Sequence, residues 1–174
     1  MKRWFWIGPF FLLFFSGCPS SSVRNKKITP FYNIELAYVD GEKYDFQDLK
    51  GKVVVIDFFN SSCMTCMFAI PHFKKMIKGH KKQGLEIVGV ALGEQKKILS
   101  MYTSTHKIRY PVLMANKLFY KGQTTFGRRA MFNIPIHYVL DRCGKIQGVF
   151  QRPRSYDALE KLVKRLLKDN RCKR

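Results

Sequence analysis

Two cysteines three residues apart stand where an unbroken apolar run meets a helix-periodic stretch, and this junction constrains the chain more than any other feature. Lys52 to Phe59 is apolar and rich in β-branched residues, the pattern of a strand covered on both faces. Met64 to Lys82 carries Met67, Ile70, Phe73 and Ile77 at helical spacing with lysines between them, which predicts a helix with a solvated basic face. Cys63-Met64-Thr65-Cys66 therefore sits where strand gives way to helix. Free backbone N–H groups and the dipole at a helix start favour a thiolate, the nucleophile of disulfide exchange. The spacing puts one thiol at the cap and the other a turn further in, close enough to displace a mixed disulfide formed on the first.

The elements around this junction define the fold class. Ile34 to Val39, Asp40-Gly41 and Glu42 to Phe46 predict a short hairpin with an Asp-Gly turn. Leu85 to Leu92 is a second buried strand, Gln95 to Thr105 a helix, Pro111 to Met114 a short extended piece and Phe119 to Arg129 a further helix. Ile136 to Leu140 and Ile146 to Phe150 form a hairpin across Asp141-Arg142-Cys143-Gly144, and Ser155 to Lys168 closes the domain as an amphipathic helix. Strand–helix–strand–helix followed by a hairpin and a helix is an α/β layered domain, a central mixed sheet flanked by helices with an N-terminal β-hairpin extension. At 174 residues one domain is expected, with a core large enough to make disulfides unnecessary as a substitute for it.

The N-terminus bears on location. Lys2 and Arg3 precede a nearly unbroken apolar run from Trp4 to Phe15, and Ser16-Gly17 supplies small residues before Cys18, the pattern of a secretory signal peptide over residues 1–17. The run is shorter than the roughly 20 residues a membrane-crossing helix needs. Phe15-Ser16-Gly17-Cys18 also resembles the bacterial lipobox, which implies lipid attachment at Cys18 and a membrane-anchored lipoprotein. An uncleaved anchor and plain secretion are the alternatives, and all three place the domain where disulfides persist. Residues 18–30 read as a polar, Ser-rich, basic tether and 31–170 as the folded domain. The chain carries 32 Lys and Arg against 12 Asp and Glu. Charge of this kind selects partners rather than folds. An extracytoplasmic domain disfavours nucleic acid and leaves anionic lipid and acidic proteins.

Other readings of the cysteines carry less. A zinc site needs four ligands, but Cys143 and Cys172 lie far apart, and His72, His80, His106 and His137 show no ligand spacing, so no metal is assigned. The proposed chemistry requires no cofactor. Cys143 and Cys172 are either a structural disulfide, the plainer reading, or two free thiols. His137 takes a sheet position and is assigned no role.

Val53 to Cys66 resembles the active-site strand and loop of the thioredoxin superfamily, and three further features match it. Asp57, six residues before Cys63, stands where thioredoxins carry a buried acid. Pro71, five after Cys66, stands where they have a helix-bending proline, and Ile134-Pro135 resembles the cis-proline segment that faces the cysteines. The signal sequence, the hairpin, Leu49 to Val55 and Pro135 to Ile146 look most like the membrane-tethered TlpA/ResA/CcmG group. Ser62 and Thr65 depart from the Trp and Pro common in the family, which leaves the redox potential open.

The resemblance implies a thioredoxin-like fold and a thiol–disulfide oxidoreductase with Cys63 attacking, Cys66 resolving and Asp57 taking the Cys66 proton. It implies that Ile134 and Pro135 bind substrate, with the backbone of Ile134 pairing to a substrate strand. The expected partners are proteins with cysteine pairs, an electron donor or acceptor that is membrane-bound or soluble, and the membrane itself through the lipid. Reduction of substrate disulfides is the leading expectation, with apocytochrome c as one candidate substrate. An oxidant or isomerase for secreted proteins is the first alternative and a copper-binding or copper-chaperone lipoprotein the second, the latter drawing on Met64 and Met67 as soft ligands. The peroxiredoxin pattern requires Pro seven residues before the cysteine, where this chain has Ile56.

Overall fold

The computed structural model describes residues 35–120, 133–151 and 156–172. The expected signal sequence, Cys18 and the expected tether lie outside them.

The strands are β1 (Ala37–Tyr38), β2 (Val53–Phe59), β3 (Leu85–Ala91), β4 (Val112–Met114), β5 (Ile136–Leu140) and β6 (Ile146–Gln151). They form one sheet in the order β1-β4-β3-β2-β5-β6. β2, β3 and β4 run parallel, while β1, β5 and β6 pair antiparallel to their neighbours. The helices are α1 (Met64–Met67), α2 (Ala69–His80), α3 (Lys96–Thr105), α4 (Lys117–Tyr120) and α5 (Tyr156–Lys168). The expected mixed α/β architecture is thus the observed one. Among the described residues no helix is long and apolar enough to cross a membrane.

Every residue of β2 is buried, because both faces of the sheet are covered. Val53, Val55 and Phe59 join a core that includes Phe73 and Met76 of α2 and Leu159 and Val163 of α5. Val54, Ile56 and Phe58 point the other way, into a core with Leu36, Phe46, Leu49 and Phe119. Alternation therefore sends Asp57 into the first core, the one that also contains Cys66.

The helix expected over Met64 to Lys82 is interrupted. α1 ends at Met67, Phe68 intervenes, and α2 begins at Ala69. Pro71 has no N–H to donate to the Met67 carbonyl, so the ladder breaks there. Past α2 a 3-10 turn spans Lys81–Gln83 and stops at Gly84, whose φ is 94°. Gly84 is required twice over, since a Cβ there would also lie 2.8 Å from Nη1 of Arg142.

The N-terminal hairpin is narrower than expected. Gly41 makes the turn at φ 103° and Ala37 bridges Lys43, but β1 spends its ladder on β4, with Ala37 opposite Met114. The second arm stops short of Phe46, because Asp45 accepts from the Gln47 amide at 2.8 Å and starts a 3-10 turn over Phe46–Leu49. Of the helix expected over Phe119 to Arg129, the described part is helical from Lys117 to Tyr120, and residues 121–129 lie outside the described residues.

The β5–β6 turn anchors the C-terminal helix. Asp141 accepts from the amides of Cys143 and Lys145, each at 2.9 Å. Arg142 is buried and donates to four carbonyls: Gly51 at 2.8 Å, Gln83 at 3.0 Å, Asp169 at 3.0 Å and Leu167 at 3.1 Å. Beside it Cys143 and Cys172 are joined by a disulfide.

Candidate active site

The end of β2 delivers the chain into a loop that is pinned before the first cysteine. Asn60 Nδ2 donates to the Leu92 carbonyl at 2.7 Å, and Asn60 Oδ1 accepts from the Ser62 amide at 2.8 Å. The Ser61 amide donates to Glu94, just past β3. The Cys63 amide then donates to the Asn60 carbonyl at 3.0 Å. Both neighbours of the site, β2 and the segment after β3, thereby hold the Cys63 backbone in place.

Cys63 is the N-cap of α1, and its sulfur accepts the Cys66 amide at 3.2 Å. The Thr65 hydroxyl lies 3.4 Å from the same sulfur. Cys63 and Cys66 are joined by a disulfide, so this is the oxidised form. Their exposures differ as attack and resolution require: Cys63 is half-buried, while Cys66 is 2 % exposed. On the outer side of the same helical segment Met64 and Phe68 are 72 % and 56 % exposed, an apolar rim beside the reactive sulfur.

The Ile134-Pro135 peptide is cis, as the resemblance led one to expect. Ile136 stands opposite Phe58, so the proline segment enters β5 beside the end of β2 from which the cysteine loop departs, and Ile134 and Cys63 both pack against the core that contains Cys66.

Asp57 is buried at 2 % exposure on the face that also buries Cys66. Directly across the β2–β5 ladder stands His137, fully buried, with Nδ1 3.0 Å from Asp57 Oδ1. This residue had no role on sequence reading. Period-two alternation gave it a strand position, but only the antiparallel register of β5 against β2 puts it opposite the acid. The Phe73 ring meets the imidazole edge-on at 5.2 Å, and Tyr156 lies 5.5 Å from it. Burial first, and the Asp57 charge after it, push the phenols of Tyr102, Tyr110 and Tyr156 upward, that of Tyr102 to about 12. The acid thus faces one imidazole that is itself flanked by aromatic rings, at ion-pair distance but without a completed hydrogen bond.

A six-stranded mixed sheet that presents a Cys-x-x-Cys pair at a helix cap, with an acid buried on the same sheet face, defines the thioredoxin-like class of thiol–disulfide oxidoreductases. The chain belongs to the AhpC/TSA family, whose model matches residues 29–149. Among curated proteins it is similar to Protein DipZ of Mycobacterium bovis, 32% identical over 130 residues that make up 72% of this chain and 18% of that protein. The chain therefore spans about a fifth of DipZ. It is also similar to the thiol-disulfide oxidoreductase ResA of Bacillus anthracis, at 23% identity over 77% of this chain and 75% of that one. Among solved structures, a thiol:disulfide interchange protein of the thioredoxin family from Chlorobium tepidum superposes with a TM-score of 0.66, at 30% identity, covering 81% of this chain and 97% of its own.

Proposed function

We propose that this protein works outside the cytoplasm as a thiol–disulfide oxidoreductase that reduces disulfides in protein substrates through Cys63 and Cys66. The observation that carries the reading is the asymmetry of the pair, one sulfur at a helix cap within reach of solvent and its partner buried behind it. In the reduced protein the Cys63 thiolate attacks a substrate disulfide. One substrate sulfur leaves as a thiolate and the other stays bound to Cys63. Cys66 gives its proton to Asp57, its thiolate attacks Cys63 Sγ, and the bond to substrate breaks as the Cys63–Cys66 disulfide forms. The second substrate thiolate departs and takes a proton. Two electrons have then moved to the substrate, and an electron donor at the membrane or in solution must restore the dithiol.

Met64, Phe68 and Ile134 supply an apolar surface for an extended substrate, with Ile134 offering its backbone for pairing. The signal sequence supports export, and Cys18 supports a lipid anchor with the domain facing the periplasm or the cell exterior. The ResA relatives are named thiol-disulfide oxidoreductases, which supports the exchange chemistry without giving its direction; reduction, with cytochrome c maturation as one candidate setting, is the role we favour. A Cys66→Ser variant cannot resolve, so it accumulates mixed disulfides. Substrates trapped on it should be exported proteins with cysteine pairs, released by dithiothreitol. A variant that traps nothing in cells contradicts the reading. The redox potential sets the direction: a value near about −270 mV fits a reductant and one near about −120 mV an oxidant.

A further inference from the structure

Asp57 is buried on the sheet face whose core contains Cys66, and among the described residues His137 is the only group within ion-pair distance of it. A buried carboxylate without a donor strongly disfavours its charged form. Among the described residues no lysine or arginine supplies that donor. Among the described residues the rings that meet the imidazole are Phe73 from α2 and Tyr156 from α5, and Phe150 stands opposite it on β6. His72 stacks on Tyr156 at 4.6 Å, and the Tyr102 and Tyr110 phenols feel the Asp57 charge. Shape alone would be served at position 137 by an apolar residue, since β5 is buried throughout. A histidine there is costly unless a nitrogen is used. In this oxidised form Nδ1 stands 3.0 Å from Asp57 Oδ1, at ion-pair distance without the alignment of a hydrogen bond, so the contact has to tighten when the site works.

We propose that His137 is a positioning residue for Asp57, presenting its Nδ1–H to the carboxylate and so keeping it ready to accept the Cys66 proton. The inference rests on the proton-accepting role given to Asp57 above. In the step it governs, the Cys66 S–H bond breaks, the proton passes to Asp57, and the thiolate electron pair forms the bond to Cys63 Sγ. The bond from Cys63 to substrate sulfur breaks, and its pair leaves with the substrate. His137 undergoes no net change. It sets how readily the acceptor is available.

The test follows resolution directly. The full chain, glutathionylated at Cys63, is mixed to a series of pH values, and glutathione release by Cys66 is measured by quenched flow. His137→Leu should move the half-maximal pH upward by at least about one unit, roughly a tenfold loss of rate at a fixed lower pH. His137→Asn, whose side-chain N–H can stand in for Nδ1–H, should restore most of the wild-type profile. This order separates the roles, because a merely structural position would favour leucine over asparagine. In an Asp57→Asn background His137→Leu should cause no further shift. Should the leucine variant not fold, nitrogen NMR of His137 in the otherwise wild-type chain decides: its Nδ1 resonance should change on Asp57→Asn substitution. An unmoved profile in folded His137→Leu, a shift that persists without Asp57, or an Nδ1 resonance indifferent to Asp57 overturns the proposal. An Asp57→Asn variant with a wild-type profile overturns the proton-acceptor role itself and leaves the cysteine exchange standing.

Discussion

The backbone N–H of Cys66 donates to Cys63 Sγ at 3.2 Å, so the buried cysteine's own amide holds the sulfur that faces solvent. The contact exists because Cys63 occupies the N-cap of α1 and the next turn turns its amides toward it. A sulfur that accepts such a bond gains more from it as a thiolate than as one half of a disulfide.

Alkylation of the reduced protein should therefore be ordered. Iodoacetamide should modify Cys63 first and Cys66 slowly, with the order read by peptide mass spectrometry. Equal rates at the two positions would contradict the exposure difference on which attack and resolution were assigned.

The C-terminal clamp should be worth several kcal/mol. Arg142→Leu leaves four carbonyls without that donor and should destabilise the fold by more than about 3 kcal/mol, measured by urea denaturation. Cys143→Ala with Cys172→Ala opens a loop spanning a sequence separation of 29 and should cost about 3–4 kcal/mol on the loop-entropy account. Neither change touches the cysteine pair, so thiol exchange by the folded fraction should persist.

The core that carries β2 should be intolerant of truncation. Phe58 is 1 % exposed and packs against Phe119 and Tyr138 with ring centroids at 5.6 and 5.7 Å. Phe58→Ala should cost about 3–5 kcal/mol in chemical denaturation.

Alkaline unfolding should carry a tyrosine contribution. Burial, then the Asp57 charge, pushes Tyr102 up to about 12, so its neutral form is favoured in the fold. Its contribution to stability is complete below about pH 10, where an unfolded tyrosine starts to ionise, and is lost as pH rises through about 12. Stability measured against pH should fall less steeply over that window in Tyr102→Phe than in the parent.

Much of this was legible before any coordinates. β2 was visible because both its faces are apolar, and α3 and α5 because their apolar positions repeat at helical spacing. The cysteine pair was legible from its place between strand and helix. Pro71 carried the signal for the break at Phe68, but the apolar spacing runs on across it and reads as one helix. His137 and Arg142 were not legible for a common reason. The function of each depends on which backbone lies opposite, and neither strand register nor the return path of the C-terminus is written in local pattern. Arg142 in particular sits in an Asp-Arg-Cys-Gly turn, where a solvated side chain is the ordinary expectation, yet it is 4 % exposed.

The central claim is that Cys63 is the attacking sulfur of a dithiol that reduces protein disulfides. Reduction of insulin by the dithiol form of the full chain tests it most directly, with Cys63→Ser beside the parent. Activity in the parent and its abolition in Cys63→Ser are predicted. A Cys63→Ser protein that still reduces insulin would contradict the assignment.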